Sequence, residues 1–391
     1  MKQNTSMAIV REIMTEFSDL TGLSSSGKAP RRYLWTDAFA VCNFIELYHQ
    51  TGDLKYKHLT LQLVDQVHNI LGRHREDDQR KGWISGLDEK EGRVHPTRGG
   101  LRIGKKLNER GPADPFDERL EWDRDGQYYH YLTKWMHALN RMNQGTGDST
   151  YNMWAIELAK TAHAMFTYVP ASGGQKRMYW KMSIDLSYPL VQSMGHLDPI
   201  DGFIIYNELQ ATAAKYSEKS AWPNLKEEIA DMANICEGKN WGTDDPLGIG
   251  ELLCDAYKVM QLILHEHFAQ IGLLEILLDS ALQGLKFFAI QNPLNLPADY
   301  RLAFRELGLS IGLQAVKRLW EIIRQNPDLF PKKHPLYSLI ETLMRYVSLS
   351  ETIEKSWLEG KNQKANSWTA HRDINMVMLA TSLSPDGYLS I

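Results

Sequence analysis

Two stretches decide the fold: TGDLKYKHLTLQLVDQVHNIL (residues 51–71) and TGDSTYNMWAIELAKTAHAMF (residues 146–166). Thr, Gly, Asp and Tyr fall at matching places in both, as do Leu63 with Leu158 and His68 with His163. Each is preceded by a helical run that is apolar on nearly all sides, at 31–49 (RRYLWTDAFAVCNFIELYH) and at about 126–143. Each stretch itself is apolar on one face only. An all-round apolar helix belongs inside and an amphipathic one outside. The repeated unit is therefore buried helix, TGD turn, outer helix. A repeated helical hairpin points to a repeat array or a closed helical ring. His68 and His163 lie on the outer helices and read as packing residues.

Outward from these hairpins the alternation continues. Residues 7–20 repeat apolar positions at helical spacing, with Ile9, Ile13, Phe17 and Leu20. Later helices are expected at about 203–215, 221–236, 246–264, 267–290, 297–324, 336–357 and 367–383, and no strand is expected. Inner helices would begin near Arg31, Gly126, Asp201, Pro246, Ala298 and Thr369. The expectation is an all-α chain, an (α/α)6 toroid (six-hairpin barrel), as a single domain over residues 1–391. Residues 72–120, with HPTRGGLRIGK at 95–105, show little periodicity. A loop this long is usually functional or disordered, and Trp83, Leu101 and Ile103 argue against disorder.

Bulk properties narrow the function classes. The 391 residues are 43% hydrophobic and 24% charged, and the net charge of -4 gives no electrostatic case for nucleic acid. Cys42, Cys236 and Cys254 have no metal-ligand or disulfide-framework spacing. The N-terminus lacks the apolar core of a signal peptide, and no run approaches a membrane span. A cytoplasmic protein, monomer or homodimer, with no membrane, metal or cofactor, is expected. The basic loop lacks the GxxxxGK[ST] pattern, so no nucleotide is implied.

The six expected inner-helix starts gather chemistry-bearing residues. They are Arg32, Trp35 and Asp37; Glu121, Trp122, Asp123, Asp125, Tyr128 and His130; His196, Asp198 and Asp201, with Trp180, Lys181 and Asp185 upstream; Trp241, Asp244 and Asp245; Asp299, Tyr300 and Arg301; and Trp368, His371, Arg372 and Asp373. Asp at a helix start is an ordinary cap. Six such regions with Trp, His and Arg added point to a small-molecule pocket with charged walls.

RYLWTDAFAVCNFIELYHQTGD (32–53), with Gly82–Trp83 and Glu91–Gly92 after it, resembles the N-terminal hairpin of the N-acylglucosamine 2-epimerase and cellobiose 2-epimerase family. That family belongs to the six-hairpin glycosidase-like superfamily. Its pattern of Arg three residues before Trp is matched by Arg32 and Trp35. Its catalytic His followed by Arg is matched by His371 and Arg372 after Trp368. Its second histidine corresponds best to His130, with His137 as the alternative. HPTRGGLRIGK, EWDRDGQYYHYLTKWMHAL (121–139) and WKMSIDLSYPLVQSMGHLDPIDG (180–202) depart from the family motifs and mark a separate branch.

Three functions follow. Glycoside hydrolysis or lyase-like cleavage would use an acid and a base drawn from Glu121, Asp123 and Asp125 on one side and Asp37, Asp185, Asp198 and Asp201 on another. Trp122, Trp180 and Tyr128 would then stack on sugar faces. Epimerisation or isomerisation would use His130, His196 and His371, with Arg32, Arg102 or Lys105 steadying the developing anion. A non-catalytic glycan-binding or scaffold role would bury the carboxylates in salt bridges with Arg98, Arg102 and Arg124. The expected partner is a small carbohydrate, with Arg32, Trp35, Asp37, Arg102, Lys105, Trp122, Tyr128, Trp180, Lys181, Asp185, Asp201, Trp368, Arg372 and Asp373 binding it.

Overall fold

The structure is a computed structural model, and it describes residues 2–24, 27–216, 223–266 and 268–391. The helix starts expected at Ala221 and His267 lie outside these residues. The chain forms two compact units, Ser18–Gly238 and Met1–Phe17 with Lys239–Ile391. In chain order the helices are α1 (Lys2–Leu20), α2 (Leu34–Thr51), α3 (Leu54–Leu71), α4 (Glu89–Val94), α5 (Glu118–Asp123), α6 (Tyr129–Thr146), α7 (Thr150–Phe166), α8 (Asp198–Ala214), α9 (Lys226–Cys236), α10 (Pro246–Glu266), α11 (Ile271–Gln291), α12 (Ala303–Gln325), α13 (Pro335–Met344), α14 (Ser348–Leu358), α15 (Asn366–Thr369), α16 (Arg372–Leu383) and α17 (Asp386–Leu389).

In the Ser18–Gly238 unit the repeated TGD turns have the same hydrogen bonds. Gly52 and Gly147 adopt left-handed φ of 69° and 72° and donate to Tyr48 and Asn143. Thr51 Oγ1 donates back to Leu47 and accepts from the Asp53 amide; Thr146 does the same with Met142 and Asp148. Asp53 then caps α3 through the Lys55 amide, and Asp148 caps α7 through that of Thr150. Glycine supplies the left-handed stop and Asp the next start. This is why three residues end one helix and reverse the chain into the next.

α2 is buried without interruption from Leu34 to Leu47 and packs on α3 and α6; α6 in turn packs on α7 and α8. The outer α3 buries only one face, with Tyr56, Leu63, Val67 and His68 among its buried residues. His68 accepts the Trp135 indole N–H at 3.1 Å, in keeping with a packing role. The expected absence of strands needs correction. β1 (Gln127–Tyr128), β4 (Lys181–Met182) and β5 (Pro189–Val191) form an antiparallel sheet, and β2 (Thr167–Tyr168) pairs with β3 (Arg177–Met178). Strands of two or three residues carry no alternation for a sequence to display.

The 72–120 segment is ordered by core contacts. Leu101 and Ile103 are fully buried, Ile103 exchanges backbone bonds with Leu34 and Gly126, and Arg102 N–H reaches Leu71. Gly104 (φ 93°) passes so close to Arg32 that a Cβ would stand 2.2 Å from its carbonyl oxygen. The loop therefore stitches the end of α3 to the beginnings of α2 and α6.

In the other unit α10 packs along α12, and α12 meets α14 and α16. Gly250 lies against Gly308 and Gly312, which lets the two backbones approach closely. The expected helix at 336–357 is two helices, α13 and α14. Trp357 is stacked on Trp368 with centroids 5.7 Å apart, and donates to Glu306, which Arg301 also binds. α1 meets α16 through Glu16 and Arg372. Among the described residues no helix is long and apolar enough to cross a membrane.

Candidate functional site

The starts of α2, α6 and α8 bring a group of aromatic and ionisable side chains together in the Ser18–Gly238 unit. β1 delivers Tyr128, α6 opens with His130 and Tyr131, and α2 opens with Trp35. Trp180, the residue before β4, lies across from them. His130 is ringed by Tyr131 (4.9 Å), Tyr128 (5.3 Å), Trp35 (6.0 Å) and Trp180, which is stacked on it at 6.3 Å. Trp122 continues the row, edge-on to Trp180 at 5.4 Å, and is 48% exposed. Tyr33 and Tyr131 share a hydroxyl hydrogen bond of 2.7 Å.

His130 keeps 23% of its side chain exposed despite this company. Burial among the rings lowers its pKa to about 3; Lys134 lowers it further and Asp201 opposes. The imidazole is thus neutral across the ordinary pH range. Its Nδ1 is 3.7 Å from Asp198 Oδ1, too far for a hydrogen bond, and it bonds to no other described residue. Asp198 is buried at the first turn of α8. Burial also raises the phenol of Tyr33 to about 12 and that of Tyr128 above its ordinary value, so both hydroxyls stay protonated.

Around the rings stands a shell of ion pairs. Glu121 is held by Lys181 (2.8 Å) and Arg110 (3.1 Å). Asp125 is held by Arg102 (2.9 Å) and Arg75 (3.3 Å), and also accepts the Gly104 and Gly126 amides. Arg80 joins Asp78, Glu109 and Asp185. Burial works against the Asp185 carboxylate, yet hydrogen bonds from Ser187 and Ser183 and the Arg80 charge hold its pKa low. Arg32 pairs with Asp37 at 3.4 Å, and Arg98 pairs with Glu157. Asp201 sits deeper, bound by Lys134 at 2.9 Å and by Thr133.

The structure thus brings together Trp35, Trp122, Tyr128, His130, Trp180 and Asp198. It uses Arg32, Asp37, Glu121, Asp125, Arg102, Lys181 and Asp185 as members of ion pairs around them. Asp123 and His196 are exposed in the same unit. His137, the alternative to His130, is fully buried against Glu208 at 2.9 Å and belongs to the core. In the other unit Trp368 is buried, while His371 and Arg372 are exposed, His371 lying 5.6 Å from the Phe304 ring; Asp373 is half-buried. Sequence reasoning missed Tyr33, Arg75, Arg80, Glu109, Arg110 and Tyr131. Only the tyrosines carried a signal, their adjacency to Trp35 and His130.

No family model matches the chain, and no curated protein matches it. Among solved structures it is similar to a GH76 α-mannanase of Bacteroides thetaiotaomicron, at 9% identity over 96% of this chain and 95% of that one, with a TM-score of 0.52. It is also similar to cellobiose 2-epimerase of Spirochaeta thermophila, at 12% identity over 95% of this chain and 97% of that one, with a TM-score of 0.47. The fold is all-α, of the (α/α)6 six-hairpin class, as the sequence resemblance implied.

Proposed function

We propose that the chain is a carbohydrate-directed enzyme whose reaction is proton transfer at a sugar carbon, as in epimerisation or isomerisation. The observation that carries this reading is His130, neutral, partly open, and set in a wall of aromatic rings 3.7 Å from a buried carboxylate. Flat rings offer the apolar faces of a sugar a stacking surface. With Nδ1–H turned toward Asp198, Nε2 is the free acceptor. It would take the proton from the carbon beside the carbonyl of an opened sugar, leaving an enediolate; a proton delivered to the opposite face of that carbon gives the epimer, and one delivered to the neighbouring carbon gives the isomer. Tightening of the Asp198 contact as the imidazolium forms would raise the basicity of a ring that is a weak base when the site is empty.

Hydrolysis through the Glu121–Asp125 cluster is the second reading, and the α-mannanase likeness is in fold alone. What weighs against it is that Glu121 and Asp125 each face two cations. Their oxygens are taken up by these cations and, at Asp125, by the Gly104 and Gly126 amides as well.

The test is proton NMR in D₂O with reducing mono- and disaccharides. Deuterium should enter the carbon beside the carbonyl, and His130→Asn should slow this by about 10²–10⁴-fold. New reducing ends, or exchange that survives His130→Asn, would overturn the assignment.

A further inference from the structure

Among the described residues the ion-pair shell leaves Lys105, half-buried at the end of the aromatic row, without a carboxylate in contact. Arg75, Arg80, Arg102, Arg110 and Lys181 each touch at least one carboxylate. Lys105 does not. Its ammonium donates to the backbone carbonyl of Trp122 and stands 5.9 Å from the Trp122 ring centroid. Asp123 and Asp125 are near enough to favour its charge, but neither lies in ion-pair contact among the described residues. Burial and the neighbouring Lys181 lower its pKa. An ammonium has three donors, and one is committed to the carbonyl. Its position matters because Trp122 is the exposed end of the row that runs through Trp180 to His130.

We propose that the sugar this site takes is anionic, its acid group pairing with Lys105 while its ring stacks on Trp122. The inference rests on the carbohydrate reading above and names the substrate class. A uronate carboxylate and a sugar phosphate share the required chemistry, since a lysine is a point charge that does not select planar geometry. Because Trp180 lies between Trp122 and His130, the acid group belongs on a sugar unit outside the one that reacts.

The experiment is a titration of the full chain, followed by tryptophan fluorescence, with glucose, glucuronate and glucose 6-phosphate at low and high salt. A charge-assisted contact predicts that at least one acid binds about tenfold or more tighter than glucose at low salt. That advantage should shrink at high salt, and the acid that shows it identifies carboxylate or phosphate as the group. In Lys105→Met the ratio of the two affinities should fall to about one, and Lys105→Arg should retain most of it. Equal binding of acid and neutral sugar by the wild type, or an advantage that survives Lys105→Met, would overturn the proposal. If glucose binds as well as the acids and His130→Asn still stops deuterium exchange, the proton-transfer reading stands without this one. If none of the three binds, this proposal falls, and deuterium exchange in the reducing disaccharides decides the proton-transfer reading separately.

Discussion

Replacing Lys181 by Met tests whether the ion-pair shell holds the aromatic wall in place. The ammonium is fully buried and donates to the Glu121 side chain at 2.8 Å, to the Glu121 carbonyl at 2.8 Å and to the Arg124 carbonyl at 2.9 Å. It also lies 5.3 Å from the Tyr128 ring centroid. Methionine keeps most of the stem volume and removes all three bonds. Breaking a buried pair from one side costs about 3–5 kcal/mol, because the remaining charge is stranded. Here Arg110 still faces Glu121 at 3.1 Å, so the low end, about 3 kcal/mol, is expected. Urea unfolding of the full chain should show the transition of the affected unit about 1 M or more earlier, for slopes of about 2–3 kcal/mol per molar. Adding Glu121→Leu should recover part of the loss, since the stranded carboxylate goes and Arg110 keeps the Leu190 carbonyl at 2.9 Å. A loss below about 1 kcal/mol, or a double variant worse than Lys181→Met, would refute the claim that the pair supports this wall.

Two further expectations concern stability. Burial lowers His68 to about 3 from an ordinary 6.5. A histidine held neutral stabilises the fold above its unfolded pKa, and this contribution drains away as pH falls from 6.5 toward 3. His68→Gln, which keeps an acceptor for Trp135, should reduce the slope of stability against pH in that window by about 1.4 kcal/mol per pH unit, and an unchanged slope in urea titrations at pH 4–7 would contradict this. Gly52→Ala and Gly147→Ala meet open space at left-handed φ and should each cost only about 1 kcal/mol. Gly104→Ala adds a clash with the Arg32 carbonyl to the same strain and should cost about 3 kcal/mol or more; thermal unfolding that ranks all three alike would show that the loop is not pinned there.

The sequence by itself determined the hairpin plan. Thr, Gly and Asp act on neighbours within four residues, so TGD at 51–53 and 146–148 could be read as a helix stop and start without any tertiary knowledge. Apolar residues on all sides of 31–49 likewise required an inner helix, and Leu101 and Ile103 required an ordered loop. Helix starts were legible to within a few residues, as the late start of α12 at Ala303 shows. Only the tertiary structure decided which charges belong to which. Arg75 reaches Asp125 across 50 residues and Arg80 reaches Asp185 across 105. Nothing local distinguishes those arginines from solvated ones. The acidic run at 121–125 looked like a reservoir of acids and bases because its cations come from elsewhere in the chain. His130 and His137 stand on the same helix with similar neighbours in sequence. Packing seals one against Glu208 and leaves the other partly open among rings, because the difference is set by which elements lie opposite, and no spacing along one helix encodes that.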